Sequence, residues 1–281
     1  MLILRDKTNS RWVHVIMNWY PDVYFGVFFF LFGTIIGSFL NVVISRLPSG
    51  ISIVQPRSRC PNCLDPIRCY DNIPIVSWLL LRGRCRNCQS IIPIRYPIVE
   101  GVTGGIALAL YYMWGISLTT IILFCFSAAM IAVFWIDIDH MIIPDVISVN
   151  GIVIGFIAAQ LQVLPWITWK ESGLGFLLGG GTLYVVAVTY QKLRGREGLG
   201  GGDIKLLAMI GAFTGPYGVM FVLFLASLLG SVAAVIGMAL RGFESTTPIP
   251  FGPFLAGSAV LFLFVGEEIV RAFYEISSFG W

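Results

Sequence analysis

Residues 101–136 read "GVTGGIALALYYMWGISLTTIILFCFSAAMIAVFWI" and carry no charged side chain. About 20 apolar residues, rising 1.5 Å each, cross the roughly 30 Å of a bilayer's hydrocarbon, so this run is nearly twice one crossing. It must fold back, and "MWGIS" at Met113 to Ser117 offers the turn, because its glycine breaks helical geometry. Two antiparallel apolar helices make the chain polytopic. Residues 23–45 supply an uncleaved first span; residues 146–169 and 172–191 supply two more, separated by "PWITWKES", whose tryptophans suit a membrane interface. Residues 206–240 are again overlong and are broken by "TGPYG" at Thr214 to Gly218, leaving a short piece and then a full span. Residues 254–270 give the last. The expected fold is an all-α polytopic membrane protein of about eight transmembrane helices.

Composition agrees. With 57% hydrophobic and 12% charged residues and a mean hydropathy of +0.85, the chain has more apolar surface than one soluble core could bury. The net charge of +3 matters less than where the basic residues lie. The loop between the first two spans holds Arg46, Arg57, Arg59, Arg68, Arg82, Arg84, Arg86 and Arg95, and so is expected on the cytoplasmic side. Eight spans then put both termini outside. Arg5, Lys7 and Arg11 oppose that orientation and are outnumbered.

The same loop contains "CPNC" (Cys60, Cys63) and "CRNC" (Cys85, Cys88), separated by 21 residues. Two such knuckles supply four thiolates for a closed tetrahedral site, which suits structural zinc. Disulfides or uncommitted thiols are the alternative, and a reducing cytoplasm disfavours the former. The surrounding arginines offset the charge of four thiolates or rest against anionic lipid headgroups. Cys69 and Cys125 fit neither knuckle and are read as packed thiols.

Few carboxylates stand at membrane ends of helices. "FWIDIDHMIIPD" puts Asp137 and Asp139 at the end of the third span, and "GLGGGDIK" puts Asp203 at the start of the sixth. On the expected topology Asp137 and Asp203 meet the same face. Two adjacent carboxyls do not both ionise, so one keeps a proton while the other takes one from water, the requirement for peptide hydrolysis without a covalent intermediate. The helix dipoles favour Asp203 as the anion and Asp137 as the acid, with the pair titrating jointly. Alone, Asp203 could be only a helix cap. Asp139 lies about 200° round the helix from Asp137 and is expected, with Asp145, in a supporting or solvated place. His140 is read as an interface residue. A polar vestibule open to the cytoplasm, lined partly by Asn41, Lys205 and "PIPFGP", would admit water.

These residues resemble the type IV prepilin leader peptidase and N-methyltransferase family. "GSFLNVVISRLP", the paired CxxC knuckles, "RYPIVE", "DIDHMIIPD", "GLGGGDIKLLAMIGA" and "TPIPFGPFLA" occur in family order over nearly the whole chain. The resemblance implies a GxGD-type membrane aspartic peptidase, with "GGGD" at Gly200 to Asp203 and the catalytic pair Asp137 and Asp203. It implies cleavage of the leader of prepilins or pseudopilins at the cytoplasmic membrane face, then methylation of the new amino terminus with S-adenosylmethionine. It places the protein, multi-pass, in the bacterial inner membrane. Expected partners are these substrates, membrane lipids and pilus or secretion assembly proteins, and no nucleic acid. The expected division is a tail and first transmembrane helix (1–46), a cytoplasmic four-cysteine zinc loop (47–97) and a membrane-embedded peptidase core (98–281). No Rossmann signature marks the methyl-donor site, which is sought near Gly83 and Glu100. The alternatives are a transporter or channel with paired carboxylates and a regulatory zinc loop, and a peptidase without methyltransferase activity.

Overall fold

The computed structural model describes residues 11–195, 200–241 and 249–278. Arg5 and Lys7, Gly198 of the glycine motif and the first residues of "TPIPFGPFLA" lie outside them. The described chain is helical: α1 (Arg11–Arg46), α2 (Val76–Leu80), α3 (Arg95–Trp114), α4 (Leu118–His140), α5 (Asp145–Gln160), α6 (Trp169–Arg194), α7 (Gly201–Arg241) and α8 (Gly252–Ser278). No strand forms among the described residues, only two isolated bridges in the cysteine loop. Asp22–Arg46 of α1, the whole of α4 and α6, and Gly201–Leu240 of α7 are long and apolar enough to cross a membrane; α5 and Gly252–Gly266 of α8 are apolar but shorter.

The expected fold-back is present. Helix α3 ends where Gly115 takes φ 61°, its N–H closing on the Tyr111 carbonyl, and Ser117 caps α4 by accepting the Thr120 N–H at 3.2 Å. The break in α7 is at Gly215, φ 69° and ψ −173°, followed by Pro216. Proline has no N–H, so the Ala212 carbonyl four residues before it loses its helical donor, and in an apolar interior that orphan must find another. Ser172 Oγ donates to it at 2.7 Å, and the Trp166 indole donates to the neighbouring Phe213 carbonyl at 3.1 Å.

That second bond explains a departure from the sequence reading. Residues 146–169 do not form one span: α5 stops at Gln160, and the linker that follows buries Val163 and Leu164 as it carries Trp166 to the α7 break. Helix α6 then starts with a reciprocal cap, in which Thr168 accepts the Glu171 N–H and Glu171 accepts the Thr168 N–H.

Helices α6 and α7 touch backbone to backbone. A Cβ at Gly175 would lie 2.2 Å from the Gly211 carbonyl oxygen, and one at Gly211 would lie 2.1 Å from that of Gly175. Small residues are how membrane helices approach so closely, since lipid supplies no hydrophobic drive to pack them. Around this seam sits the core, with Phe126 of α4, Leu206, Ile210 and Phe213 of α7 and Leu255 and Ala259 of α8. A second cluster joins Leu40 and Ile44 of α1, Val99 of α3 and Ile131 and Ile136 of α4.

Replacing Ser172 by Ala leaves the Ala212 carbonyl without its donor. We expect a loss of about 1–2 kcal/mol in unfolding free energy in detergent micelles, and an additive loss for Trp166→Phe.

Candidate active site and metal loop

Asp137 ends up in the last turn of α4, 5% exposed. The turn closes at Met141, whose left-handed backbone (φ 54°) returns its N–H to the Asp137 carbonyl. The Asp137 carboxyl is met by a different helix: the N–H of Gly252, the first residue of α8, donates to Oδ2 at 2.9 Å. A Cβ at residue 252 would lie 2.6 Å from that oxygen, so only glycine admits the contact.

Asp203 is the third residue of α7, on the same side of the bundle. Its carboxyl turns back to the Gly200 backbone and lies within electrostatic reach of Asp137. Ile143, in the turn after α4, packs between the starts of α7 and α8: Cβ atoms built at Gly202 and Gly252 would come 3.0 Å and 3.2 Å from its side chain. The fold therefore brings together the two aspartates that the sequence reading paired. Capping is part of what Asp203 does, but from the third position rather than the cap itself. The carboxyl end of α4 is not the only dipole at Asp137, because the amino end of α8 faces the same carboxyl and opposes it.

The other acidic residues point elsewhere. Asp139 pairs with Arg95 at the start of α3, and Asp145, first residue of α5, pairs with Lys205 at 2.7 Å. Asn41 does not line a vestibule. It is buried between α1 and α3, donating to the carbonyls of Gly37 and Tyr96 at 3.3 Å each. Lys205 is half-buried and taken up by Asp145, and of the "PIPFGP" turn it is Gly252 that reaches Asp137. The Gly252 contact and the Arg95 pair had no local signal in the sequence, since each joins residues distant along the chain.

The loop forms the expected four-sulfur cluster. The Sγ atoms of Cys60, Cys63, Cys85 and Cys88 lie within 4.8 Å of one another, with Cys60 and Cys88 at 3.7 Å. Zinc–sulfur bonds of about 2.3 Å in a tetrahedron require about 3.8 Å between sulfurs, and the Cys60–Cys88 separation matches that spacing. The two knuckles repeat each other 25 residues apart in sequence. Cys60 and Cys85 each donate an N–H to the carbonyl of the residue five on, Asp65 and Ser90. Leu64 and Gln89 each return one to the first cysteine from left-handed backbone. The Cys63 and Asn62 backbone N–H groups help pull the Cys60 thiol down to about 6. Although the Asp65 N–H favours the Cys63 thiolate, burial and the neighbouring sulfurs push that thiol up to about 12. Four such sulfurs do not all ionise without a cation among them. Cys69 is exposed in the loop and Cys125 is exposed on α4, so neither packs as a core thiol.

Glu100, 6% exposed, accepts the Ile75 N–H at 2.7 Å just before α2, and Gly83 (φ 66°) lies against Trp78 just after it. The two residues sought near a methyl donor thus stand at opposite ends of one short helix.

Helices of membrane-crossing length in an otherwise all-helical set of described residues define the class, a polytopic α-helical membrane protein, here with two neighbouring aspartates and a four-cysteine loop. The chain is a member of the type IV leader peptidase family: residues 124–235 match the model of that family, and residues 31–114 match the bacterial peptidase A24 N-terminal domain. It is 36% identical to the prepilin leader peptidase/N-methyltransferase of Aeromonas hydrophila, over 89% of this chain and 94% of that one. Identity to the protein of the same name from Pseudomonas aeruginosa is 34%, over 89% and 93%. It is 39% to the type 4 prepilin-like proteins leader peptide-processing enzyme of Escherichia coli O78:H11, over 82% and 91%. No solved structure matches.

Changing Cys60 to Ser removes one sulfur of four, and the metal that co-purifies with the chain, read by atomic absorption, should fall. Unchanged stoichiometry would show that the cluster is not the metal site.

Proposed function

We propose that this protein is a bifunctional inner-membrane enzyme that removes the leader from prepilins or pseudopilins and methylates the amino terminus it exposes. The observation that supports the cleaving half most directly is the approach of Asp137 and Asp203 at one end of the bundle, 66 residues apart in sequence. Membership of the leader peptidase family displaces the transporter reading.

In the cleavage step, the ionised member of the pair takes a proton from a water held between them as the oxygen attacks the scissile carbonyl. The protonated member hydrogen-bonds the carbonyl oxygen and then donates to the leaving amine. The pair holds one proton before and after the step and two while the tetrahedral oxyanion stands, and Gly252 holds one of its oxygens in place. Both aspartates stand at helix ends rather than mid-span, where an extended peptide meets unpaired backbone.

Zinc, held by Cys60, Cys63, Cys85 and Cys88, would be structural, since four sulfurs leave no open position for substrate. S-adenosylmethionine supplies an electrophilic methyl group for the new amine. Its binding site belongs near the loop, where Gly83 and Glu100 flank α2.

On this reading α1, α3, α4, α5, α6, both parts of α7 and α8 cross or enter the membrane, which makes eight. The cysteine loop and the aspartate pair face the cytoplasm. Residues 1–46, 47–97 and 98–281 are then a first helix, a zinc loop and a peptidase core. Substrates with an apolar helix behind the leader would enter from the lipid, and pilus or secretion assembly proteins are the further partners.

Co-expression with a prepilin and mass spectrometry of the pilin test this. Asp137→Asn and Asp203→Asn should each leave the leader attached, whereas Cys60→Ser should give pilin that is cleaved but under-methylated. Leader removal by both asparagine variants would overturn the assignment of the pair.

A further inference from the structure

Arg95 is the first residue of α3, where the cysteine loop returns to the membrane helices. Its guanidinium reaches across to α4. Nη1 donates to Asp139 Oδ2, and the charge lies 5.8 Å from the centre of the Trp135 ring. Tyr96 flanks it from its own helix at 6.0 Å. Trp135 and Asp139 are four residues apart, so they share one face of α4, and Asp137 between them points to the opposite side. Arg95 therefore grips the last turn of α4 from directly behind the Asp137 carboxyl.

That turn needs a grip. Helix α4 stops at His140, and past the Met141 N–H that closes on the Asp137 carbonyl the end of a helix lacks the onward hydrogen bonds that hold earlier turns. The base on which Arg95 stands is firm, because buried Asn41 of α1 donates to the Tyr96 carbonyl. The Arg95 and Asp139 side chains are 22% and 34% exposed, against 44% and 63% for the Lys205–Asp145 pair beside Asp203. Solvent screens the second pair far more, so the first should carry the larger effect.

We infer that Arg95 is a positioning residue for the Asp137 carboxyl: through Asp139 and Trp135 it sets the rotation of the last turn of α4 that turns Asp137 towards Gly252 and Asp203. This rests on the reading of Asp137 as half of the cleaving pair. It gives Asp139 a task, and it ties the end of the cysteine loop to the chemistry of the other half of the chain.

The test uses the full chain in detergent with a purified prepilin, comparing Arg95→Gln, Arg95→Lys, Asp139→Asn, the Arg95→Gln/Asp139→Asn double variant and Asp137→Asn. A carboxyl displaced by a fraction of an ångström to an ångström should lower kcat by about 10- to 100-fold with KM little changed. The shape of the pH–rate profile should change as well, whereas a mere loss of folded molecules scales the profile without reshaping it. The double variant should be no worse than Arg95→Gln alone, because that change already removes the whole clamp. Arg95→Lys should recover part of the rate. If Arg95→Gln fails to insert, Asp139→Asn carries the test from the other side. Wild-type kcat and profile in Asp139→Asn, or losses that simply add, beside an inactive Asp137→Asn, overturn the clamp alone. Cleavage by Asp137→Asn overturns the reading of the pair and this inference with it.

Discussion

The arrangement hangs on a meeting of helix ends. The leading N–H of α8 has no partner within its own helix, and the Asp137 carboxyl at the trailing end of α4 is almost wholly shielded from solvent; each satisfies the other. Because the donor is a backbone group on a residue without a side chain, the contact fixes the two helices as well as two atoms. Ile143 wedges into the same corner and brings the amino end of α7 alongside, so Asp203 arrives as a consequence of how three helix termini pack. The break at Gly215 belongs to the same design. It lets the first part of α7 end early, and its freed carbonyls are taken up by Ser172 and Trp166.

Much of this was legible in the sequence where the signal is local. An overlong apolar run with a glycine at its middle states its own turn, a Gly-Pro step states its own break, and paired CxxC spacings state a four-sulfur cluster. The two aspartates could be paired because charge is so scarce that few candidates remain. What escaped depends on contacts between distant elements. Nothing local says that α5 ends at Gln160, because its apolar composition continues into a linker that is buried by docking on α7. Asn41 reads as a polar residue bound for water, yet it joins two helices. Asp139 reads as supporting or solvated, and its partner Arg95, arriving from the far side of the cysteine loop, is what the sequence does not name.

The loop is stiffer than its length suggests. Its two knuckles are copies of one turn, each closed by the same pair of backbone bonds, and Trp78 and Ser77 of α2 bond to the chain on either side. Arg86 holds the Asp71 carboxyl well below the usual range through a paired hydrogen bond, bracing the outer knuckle against the segment before α2. Glu100 then anchors that segment to α3. A disturbance at the sulfurs thus has a short, well-bonded route to the membrane helices.

The shortness of α5 has a consequence for the surrounding lipid. Its 16 residues rise about 24 Å, against about 34 Å for the 23 of α4. On the proposed eight-helix reading, a crossing helix of that reach falls short of the acyl-chain thickness, and the bilayer on that flank would pinch inward to meet its ends. Hydrophobic mismatch would then bring headgroups and bulk solvent down to the level of the two carboxyls, without a bored channel. Catalysis by this protein should accordingly respond to acyl-chain length, running faster in thin bilayers than in thick ones.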